Sequence, residues 1–447
     1  DETLASVTLI TREEIEKSQI QSVKELLSTV AGLDVINNGG GGKTTHAMMR
    51  GTNANHVLVM VDGIKIGSAT NGNLPFQFLP IDQIEKVEVV RGPRSSLYGS
   101  EAIGGVIQIF TRNGAKGFTP HASVTTGGYQ TNKGSIGASA GNERGWVSFS
   151  LSGEESEGFD SCDAITTAAC RVDEPDKDGY DNLSGSLNAG LYLGDDAEAK
   201  IHWLRSEGST EFDGRRQNET EYVVETLGAT MRLSPMDKWT VTLSAGESQD
   251  KNDNLNDGVF SSRFNTRRET ASWLNDISLG PDHLLTLGLD YQKDSVESTT
   301  LYTVSEREND GVFAQYKGSI GAHDLQLSYR NDDNEQFGEH ETGSAAWGYG
   351  FANGLRLVLS YGTAFSAPTF NDLYWPGGGN ANLLPEESES YELGLSGDTR
   401  WGHWRLNLYR TEIENLISGW PPTNVNKAHI EGMEAAVLTD IVGWQVN

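Results

Sequence analysis

The 447-residue sequence predicts a mostly β protein, a transmembrane antiparallel β-barrel preceded by a small α/β domain. Two observations predict this fold. From about residue 118 onward, apolar and polar residues alternate over segments of about ten residues, which is typical of strands whose two faces meet different surroundings. The segments are joined alternately by short turns and long polar stretches, which is typical of outer-membrane barrels. Residues 1–115 follow neither pattern.

Composition narrows the class further. The chain has 34 lysines and arginines against 63 aspartates and glutamates, a formal net charge of −29, which argues against nucleic acid as a partner. Two cysteines are too few for a disulfide-dense scaffold or a four-thiolate zinc site. The mean hydropathy is −0.45 and no long apolar run is present, which excludes helical membrane spans. A soluble protein or a membrane β-barrel remains.

Two short helices are predicted to open the N-terminal domain. Thr11 and Ser22 are each followed three residues later by a glutamate, Glu14 and Glu25, which is the capping-box pattern of a helix start. Gly32 is expected to end the second helix. Apolar runs then predict six short strands, at residues 33–36, 47–50, 57–61, 64–66, 87–91 and 106–111.

Two loops of this domain carry distinct signals. Asp62 and Gly63 lie between two apolar runs, which predicts a tight hairpin turn. Residues 39–42 are four consecutive glycines, which predict an adaptable loop tip because glycine is the least restricted residue. A phosphate-binding nest is the alternative, but the complete phosphate-binding loop motif, Gly-x-x-x-x-Gly-Lys-Ser/Thr, is not present here.

The remaining sequence favours a barrel over a sandwich. Its polar face stays polar and small from strand to strand, which fits lipid outside and a wet or plugged lumen, whereas a sandwich would share an apolar core. About 16 strands are predicted, with another beginning near Trp444. Because the sequence stops in mid-strand, we expect a last edge without a partner and a chain that is part of a longer protein. Long loops are predicted at residues 154–180, 206–221, 250–267 and 364–387.

Several longer motifs resemble one family. Residues 50–63 (RGTNANHVLVMVDG) and 84–107 (IEKVEVVRGPRSSLYGSEAIGGVI) resemble the two plug signatures of the TonB-dependent outer-membrane transporters. Residues 360–368 (SYGTAFSAP), 382–388 (NLLPEES) and 430–434 (IEGME) resemble barrel segments of the same family, in the same order. The resemblance covers nearly the whole chain, and residues 50–63 are most similar to the cobalamin-transporting members.

The resemblance implies a fold and a function. Residues 1–115 are expected to be a plug domain inside a barrel formed by residues 116–447; such barrels have about 22 strands, so the C-terminal strands are expected to be missing. The implied function is active uptake of cobalamin (vitamin B12) or a related corrinoid across the outer membrane of a Gram-negative bacterium. The implied partners are TonB, with ExbB and ExbD, at the periplasmic side, together with membrane lipids and lipopolysaccharide. The segment that would bind TonB is expected to precede the first helix and so to be absent from this sequence.

Carboxylates crowd two of the predicted loops, residues 154–180 and 206–221. Such charges repel one another unless a cation holds them, and calcium prefers about six to eight oxygen ligands. The resemblance implies that calcium orders these loops, because cobalamin-transporting members of the family order theirs with calcium. A solvated acidic loop is the alternative. The best matches to the family's ligands are Asp160, Asp176, Asp178, Asp213 and Glu221.

The two cysteines, Cys162 and Cys170, lie in the first of these loops. In an oxidising exterior we expect one disulfide that closes a small loop. A thiol metal site is the alternative, but no nearby histidine completes it.

The plug tips and the barrel loops are expected to bind the ligand. Asparagine amides both donate and accept hydrogen bonds, which suits the amide-rimmed corrin ring, and aromatic side chains suit its apolar faces. Ordinary polar loop residues are the alternative for each of them. The candidate residues are Asn37, Asn38, Lys43, Asn71, Asn73, Tyr302, Tyr374 and Trp375. Arg50, Arg91 and Arg94 are expected instead to pair with carboxylates of the barrel wall.

No catalytic set emerges from the sequence, so we do not expect an enzyme. One rival function is uptake of a ferric siderophore or haem by the same type of transporter. Its anionic ligands would meet an acidic entrance. The other rival is a surface receptor or adhesin without transport, which would have no use for a plug.

Overall fold

The computed structural model describes residues 4–114, 116–162, 172, 174–400, 402–441 and 444–446. It contains an N-terminal domain enclosed by a β-barrel, as predicted. No helix among these residues is long and apolar enough to cross a membrane.

The N-terminal domain is built on a five-stranded sheet in the order β1-β6-β7-β4-β5, in which only β4 and β7 are parallel. The strands β2 and β3 form a separate hairpin. The elements are β1 (Val7–Thr11), α1 (Arg12–Ser18), α2 (Val23–Ser28), β2 (Leu33–Asn37), β3 (Thr45–Met49), β4 (Val57–Val61), β5 (Ile64–Ile66), β6 (Ile84–Arg91), α3 (Ser95–Tyr98) and β7 (Gly105–Thr111), with 3-10 turns at Ala54–His56, Phe76–Phe78 and Ile81–Gln83.

The predicted helix starts are confirmed, but one predicted end is wrong. Thr11 caps α1 through a capping box with Glu14, and Ser22 caps α2 through the backbone N–H of Glu25. The helix α2 ends at Ser28 rather than near Gly32, because the N–H of Thr29 turns back to carbonyls of the last turn. Gly32 lies beyond the helix with a φ of +78°, a left-handed conformation that suits glycine. The edge strand β1 was not predicted.

The barrel strands follow one another in chain order, and each pairs antiparallel with the next. They are β8 (Gly117–Thr126), β9 (Asn132–Asn142), β10 (Gly145–Ser156), β11 (Tyr180–Tyr192), β12 (Ala197–Glu211), β13 (Glu219–Met236), β14 (Trp239–Asn256), β15 (Val259–Gly280), β16 (His283–Ser298), β17 (Glu306–Ile320), β18 (His323–Asn334), β19 (Gly338–Gly350), β20 (Leu355–Ser366), β21 (Glu386–Thr399), β22 (Gly402–Ser418), β23 (Thr423–Ile441) and β24 (Trp444–Val446). A short helix, α4 (Phe370–Tyr374), lies between β20 and β21.

The sheet closes on itself, with β24 next to β8. Within the described residues, however, β24 pairs only with Thr439–Ile441 of β23, so most of the outer edge of β23 has no paired strand. The expectation of an edge without a partner is therefore wrong for the strand order but holds along most of this seam, where backbone groups lack the partners that a closed sheet supplies.

The predicted contrast between short turns and longer loops is confirmed, with two exceptions. Every second connection is a short turn, which defines a turn end and a loop end of the barrel. The predicted loop at residues 206–221 shrinks to residues 212–218, because β12 continues to Glu211 and β13 begins at Glu219. The predicted loop at residues 250–267 is instead paired strand, because β14 and β15 continue to a tight turn at Asp257 and Gly258. Both faces of this part are polar, so its sequence resembles a loop although its backbone continues the ladder.

The two faces of each strand meet different surroundings. Inward residues contact the plug; for example, the Ser248 hydroxyl donates to the Lys65 carbonyl at 2.8 Å. Outward apolar residues are exposed and form the face that lipid covers in a membrane barrel. Examples are Leu187, Leu227, Leu243, Leu289, Leu327, Leu359 and Leu408.

Candidate functional site

A cavity of about 800 Å³ opens at the loop end of the barrel, and we call it the loop-end cavity. Two tips of the N-terminal domain form its floor, namely the turn of the β2–β3 hairpin and the segment of residues 68–78. Inward residues of β12 to β15 and residues of the loops form its wall. This volume lies in the range of small-molecule sites.

Amide side chains dominate the polar lining of the loop-end cavity. They are Asn37, Asn38, Asn71, Asn73, Gln77, Gln217, Asn252, Asn254 and Asn371. The charged residues among the described lining are Lys43, Asp213 and Asp250, and the aromatic ones are Phe78, Phe212, Phe264 and Trp375. The cavity therefore offers many neutral donors and acceptors beside flat apolar surfaces.

The structure brings six of the eight candidate ligand residues to this cavity. They are Asn37, Asn38, Lys43, Asn71, Asn73 and Trp375. Tyr302 and Tyr374 are not in the lining. The Tyr302 hydroxyl donates to Asn371 at 2.5 Å, the Tyr374 hydroxyl accepts from Gln336, and both rings pack near Phe370. Both tyrosines lie outside the cavity lining, and their hydroxyls hold the segment that contains α4 in place.

Sequence reasoning missed the wall contributed by the barrel strands. Asp250, Asn252 and Asn254 alternate along β14 and face the cavity, as do Phe264 of β15 and Thr210 of β12. The alternation of polar residues at 250, 252 and 254 is a strand signal. In sequence the segment nevertheless resembles a loop, because the outward residues between them are polar as well.

Lys43 fixes the glycine tip onto the barrel. Its ammonium group donates to the carbonyls of Gly41, Asp178 and Gly179 and to the Thr210 hydroxyl, at 3.2–3.3 Å. The side chain is 4% exposed, and burial lowers the pKa of Lys43 to about 8. Lys43 thus joins the plug tip to two segments of the barrel rather than projecting as a free cation into the cavity.

An aromatic cluster supports the floor beside this tip. The rings of Phe78 and Tyr222 are stacked with centroids 3.5 Å apart, and Tyr180 packs against them. A Cβ atom built on Gly42, whose φ is +70°, would overlap the Tyr180 ring. The glycine tip is therefore seated closely on the wall, which departs from the adaptable loop that the four glycines predict.

Three of the five candidate calcium ligands lie near one another. One oxygen of Asp213 is buried without a hydrogen-bond partner among the described residues. Burial, together with the charges of Asp178 and Asp160, raises the pKa of Asp213 to about 6. Such an oxygen suits a cation. However, no group of three or more acidic, histidine or cysteine side chains is close enough to hold a metal ion in the described part of the chain.

The other two candidate ligands are placed differently. Asp176 is exposed in the loop between β10 and β11. Glu221 is exposed on β13, where its neighbours Thr220 and Tyr222 face inward, so Glu221 lies on the outer face of the barrel. Cys162 is buried, whereas Cys170 lies outside the described residues, so the disulfide stays a prediction.

Buried ion pairs hold the plug against β21 to β23. The Arg50 guanidinium forms two hydrogen bonds with Glu434, both at 2.8 Å, and two with Glu392, both at 3.1 Å. Arg91 lies 3.8 Å from Glu434, as predicted for a wall carboxylate. The prediction for Arg94 is wrong: its guanidinium donates to the carbonyls of Pro93 and Arg91, and it makes no ion pair within the described residues.

Comparison with known proteins identifies the family. Residues 1–106 match the family model of the TonB-dependent receptor plug domain, and residues 163–447 match that of the TonB-dependent receptor-like β-barrel. The chain belongs to the TonB-dependent receptors. It is therefore an outer-membrane receptor that works with TonB on a small-molecule ligand.

Two curated relatives are similar over almost the whole chain. The vitamin B12 transporter of Photobacterium profundum is 35% identical over 96% of this chain and 72% of that protein. The vitamin B12 transporter of Vibrio vulnificus is 32% identical over 97% of this chain and 73% of that protein.

Solved structures share the fold at lower identity. A variant of the ferric enterobactin receptor of Pseudomonas aeruginosa has a TM-score of 0.83 at 18% identity, covering 97% of this chain and 77% of that one. The siderophore receptor PirA of the same organism has a TM-score of 0.80 at 20% identity, covering 97% and 82%. At these identities the likeness concerns the fold alone.

Proposed function

We propose that this protein takes up cobalamin, or a closely related corrinoid, across the outer membrane. The observation that carries the proposal is the amide-rich loop-end cavity, formed by a chain whose relatives are vitamin B12 transporters. A corrin ring carries amide groups around its edge and presents apolar faces. Nine amide side chains and four aromatic rings in one cavity complement both features.

The few charged groups of the cavity favour a neutral ligand over an anionic chelate. Lys43 is already engaged with three carbonyls and a hydroxyl, while Asp213 and Asp250 are acidic. No arginine is present among the described lining residues. An anionic ferric siderophore would therefore meet carboxylates without a free cation to balance it.

Uptake requires binding and movement, and no bond of the ligand has to be made or broken, so we do not propose an enzyme. TonB, energised through ExbB and ExbD, would act on the periplasmic side of the plug and move it. Lipids and lipopolysaccharide would surround the exposed leucines of the barrel.

Calcium is proposed as a structural ligand of the acidic loops. In the present conformation Asp160, Asp178 and Asp213 do not form a metal site, so calcium would have to draw them together, supported by the unpaired oxygen of Asp213 and by the repulsion between the three carboxylates. The disulfide between Cys162 and Cys170 would close the same loop. Both would shape the entrance of the cavity.

Equilibrium binding of cyanocobalamin to the complete detergent-purified protein tests the proposal, with calcium present and with a chelator. Tight binding that weakens in chelator supports both the ligand and the calcium site, and in the Asp213→Asn variant the chelator should then lose its effect. Tight binding that is unaffected by the chelator supports cobalamin as the ligand and rules out the calcium site. No binding by folded protein overturns the proposal and favours the siderophore or haem alternative.

One pair of variants assigns the binding to the cavity. Asn252→Leu removes an amide from the wall and is expected to weaken binding by about tenfold, the equivalent of one hydrogen bond. Asn331→Leu changes an outward residue of β18 and should leave binding unchanged. Equal effects of the two variants would place the ligand elsewhere.

A further inference from the structure

A second cavity lies deeper between the plug and the barrel wall. It has a volume of about 360 Å³ and we call it the inner cavity. Lys65, Tyr98 and Glu101 line it from the plug, and inward residues of β14 to β18 line it from the barrel. Its lining includes Ser244 of β14, whereas the loop-end cavity uses Asp250 of the same strand, roughly 20 Å nearer the loop end.

A narrow space, which we call the constriction, separates the two cavities. Its volume is about 20 Å³, enough for one water molecule. Ser68 and Leu74 line both the constriction and the loop-end cavity. Glu101 and Arg307 line both the constriction and the inner cavity. The three spaces therefore follow one another from the loop end toward the turn end.

One ion pair between plug and barrel lies at the constriction. The Arg268 guanidinium of β15 donates to both carboxylate oxygens of Glu101, at 2.7 and 2.9 Å, and to Asp294 at 2.6 Å. Glu101 is the only partner in this set that the plug contributes. Its φ is +78°, which is strained for a residue with a side chain.

This ion pair is better solvated than those on the opposite side of the plug. The Glu101 side chain is 28% exposed, against 12% for Glu392 and 11% for Glu434 beside Arg50. If Glu101 moves away, Arg268 keeps Asp294 as a partner, and Glu101 can be hydrated in the adjoining cavity. Opening the constriction therefore leaves no buried charge without a partner. Withdrawing Arg50, in contrast, would leave the buried carboxylates of Glu392 and Glu434 without their shared partner.

We propose that the ligand leaves the loop-end cavity through the constriction, and that the inner cavity is a second, transient site for the same ligand along β14 to β18. The proposal rests on the proposed uptake function. The Arg268–Glu101 pair acts as the gate, and strain at Glu101 favours its release when TonB acts on the plug.

The inner cavity suits a large neutral ligand with polar edges. Its charged lining residues are balanced: Lys65, Arg307 and Arg330 face Glu101, Asp290 and Asp294. Hydroxyl and amide groups such as Ser272 and Asn309 add neutral partners, and Phe313 adds an apolar surface. The site has to widen during passage, because its volume is less than half that of the loop-end cavity.

A reversible tether on each side of the plug tests the route in the complete protein, in cells that carry TonB. The hydroxyl oxygens of Ser96 on α3 and Ser328 on β18 are 2.8 Å apart, so the pair Ser96→Cys and Ser328→Cys places two thiols within disulfide reach beside the inner cavity. On the other side, a Cβ atom at Gly51 would lie 3.7 Å from the side chain of Ile430 on β23. The pair Gly51→Cys and Ile430→Cys is the control; because Gly51 has a φ of +78°, which disfavours a side chain, uptake by its reduced form measures the cost of the substitution itself.

Binding and uptake of labelled cyanocobalamin are measured for both pairs, oxidised and then reduced. We expect the oxidised β18 tether to abolish uptake but retain binding, with uptake restored by reductant, and the oxidised β23 tether to retain both. The route is overturned if both tethers abolish uptake, if neither does, or if the β23 tether alone does. Failure of the untethered protein to bind or take up cyanocobalamin would instead be failure of the proposed function.

Thiol labelling gives a second measurement that needs no tether. Ser272→Cys lies in the inner cavity, and Ser390→Cys lies on the buried inward face of β21. Labelling of Ser272→Cys by an externally added membrane-impermeant maleimide should rise when ligand is supplied to energised cells, and that of Ser390→Cys should not. An equal rise at both, or no rise at Ser272→Cys, contradicts the route.

Discussion

The plug meets the barrel wall in two different ways. Toward β21 to β23 the interface is dry: Arg50, Glu392 and Glu434 are 5–12% exposed in their side chains, and His56 and Glu386 are almost completely buried. Toward β14 to β18 the interface contains the inner cavity, and two of its carboxylates, Glu101 of the plug and Asp290 of the barrel, are 28% and 26% exposed, although Asp294 beside them is buried. Both sides use arginine and carboxylate, so the difference lies in access of water.

This contrast indicates that the two sides of the interface have different roles. A buried charge without a partner is costly, so dry ion pairs resist separation more strongly than solvated ones. We therefore expect the β21–β23 side to hold the plug in position while the β14–β18 side yields. Substitutions at Arg50, His56 and Lys65 in the complete protein in detergent, from the largest expected effect to the smallest, distinguish the two sides.

Replacing Arg50 should have the largest effect. Arg50→Met leaves the carboxylates of Glu392 and Glu434 without their shared partner, which is expected to lower the free energy of local plug unfolding by about 3–5 kcal/mol. Hydrogen exchange of the β4 amides measures this free energy. Arg410→Met, which removes an exposed arginine paired with Glu412, is the matched control and should leave it unchanged. Equal effects would mean that burial does not strengthen the Arg50 pairs.

Replacing His56 should have an intermediate effect. His56 donates from Nε2 to Glu386 at 2.8 Å, because its Nδ1 accepts the N–H of Asn53. His56→Leu is expected to cost about 1–3 kcal/mol by the same exchange measurement, since the one donor left to the Glu386 carboxylate among the described residues is the N–H of Ile417. His56→Gln, which supplies another N–H donor, should recover part of the loss. No recovery would mean that packing, rather than the hydrogen bond, accounts for the effect.

Replacing Lys65, which lies beside the inner cavity, should have the smallest effect on the stability of the plug. Its ammonium group donates to the Tyr98 carbonyl at 2.7 Å and to Gln292 at 3.0 Å, and both acceptors adjoin the inner cavity. Lys65→Met is expected to cost about 1 kcal/mol, because water in the cavity can replace the donor. Hydrogen exchange of the β5 amides checks this value. A loss of unfolding free energy as large as that caused by Arg50→Met would contradict the expected difference between the two sides.

The sequence predicts the elements better than it predicts how they meet. Capping residues such as Thr11 and the period-two alternation of the barrel are local signals, and both led to correct elements. The extension of β14 and β15 cannot be predicted in this way, because a strand that is polar on both faces has no local signal to separate it from a loop. Backbone pairing with neighbouring strands decides such cases.

The candidate site shows the same limit. The asparagines of the plug tips were found because the family resemblance pointed to the tips, and the two tips do line one cavity. The pairing of Arg268 with Glu101 joins residues 167 positions apart, and no pattern along the chain brings them together. For Tyr302 and Tyr374 the sequence offers only their side-chain chemistry, and in the structure their hydroxyls hold α4 in place instead of reaching the ligand cavity.

The long strands β14 and β15 have a consequence for capture of the ligand. Because they extend as a paired ladder to the turn at Asp257 and Gly258, Asp250, Asn252 and Asn254 are held in place by backbone hydrogen bonds before any ligand arrives. Ligand binding then costs little conformational entropy on this wall, since no loop has to become ordered there. A receptor built in this way can retain a scarce nutrient at low concentration, and its selectivity is determined by the shape that the wall already has.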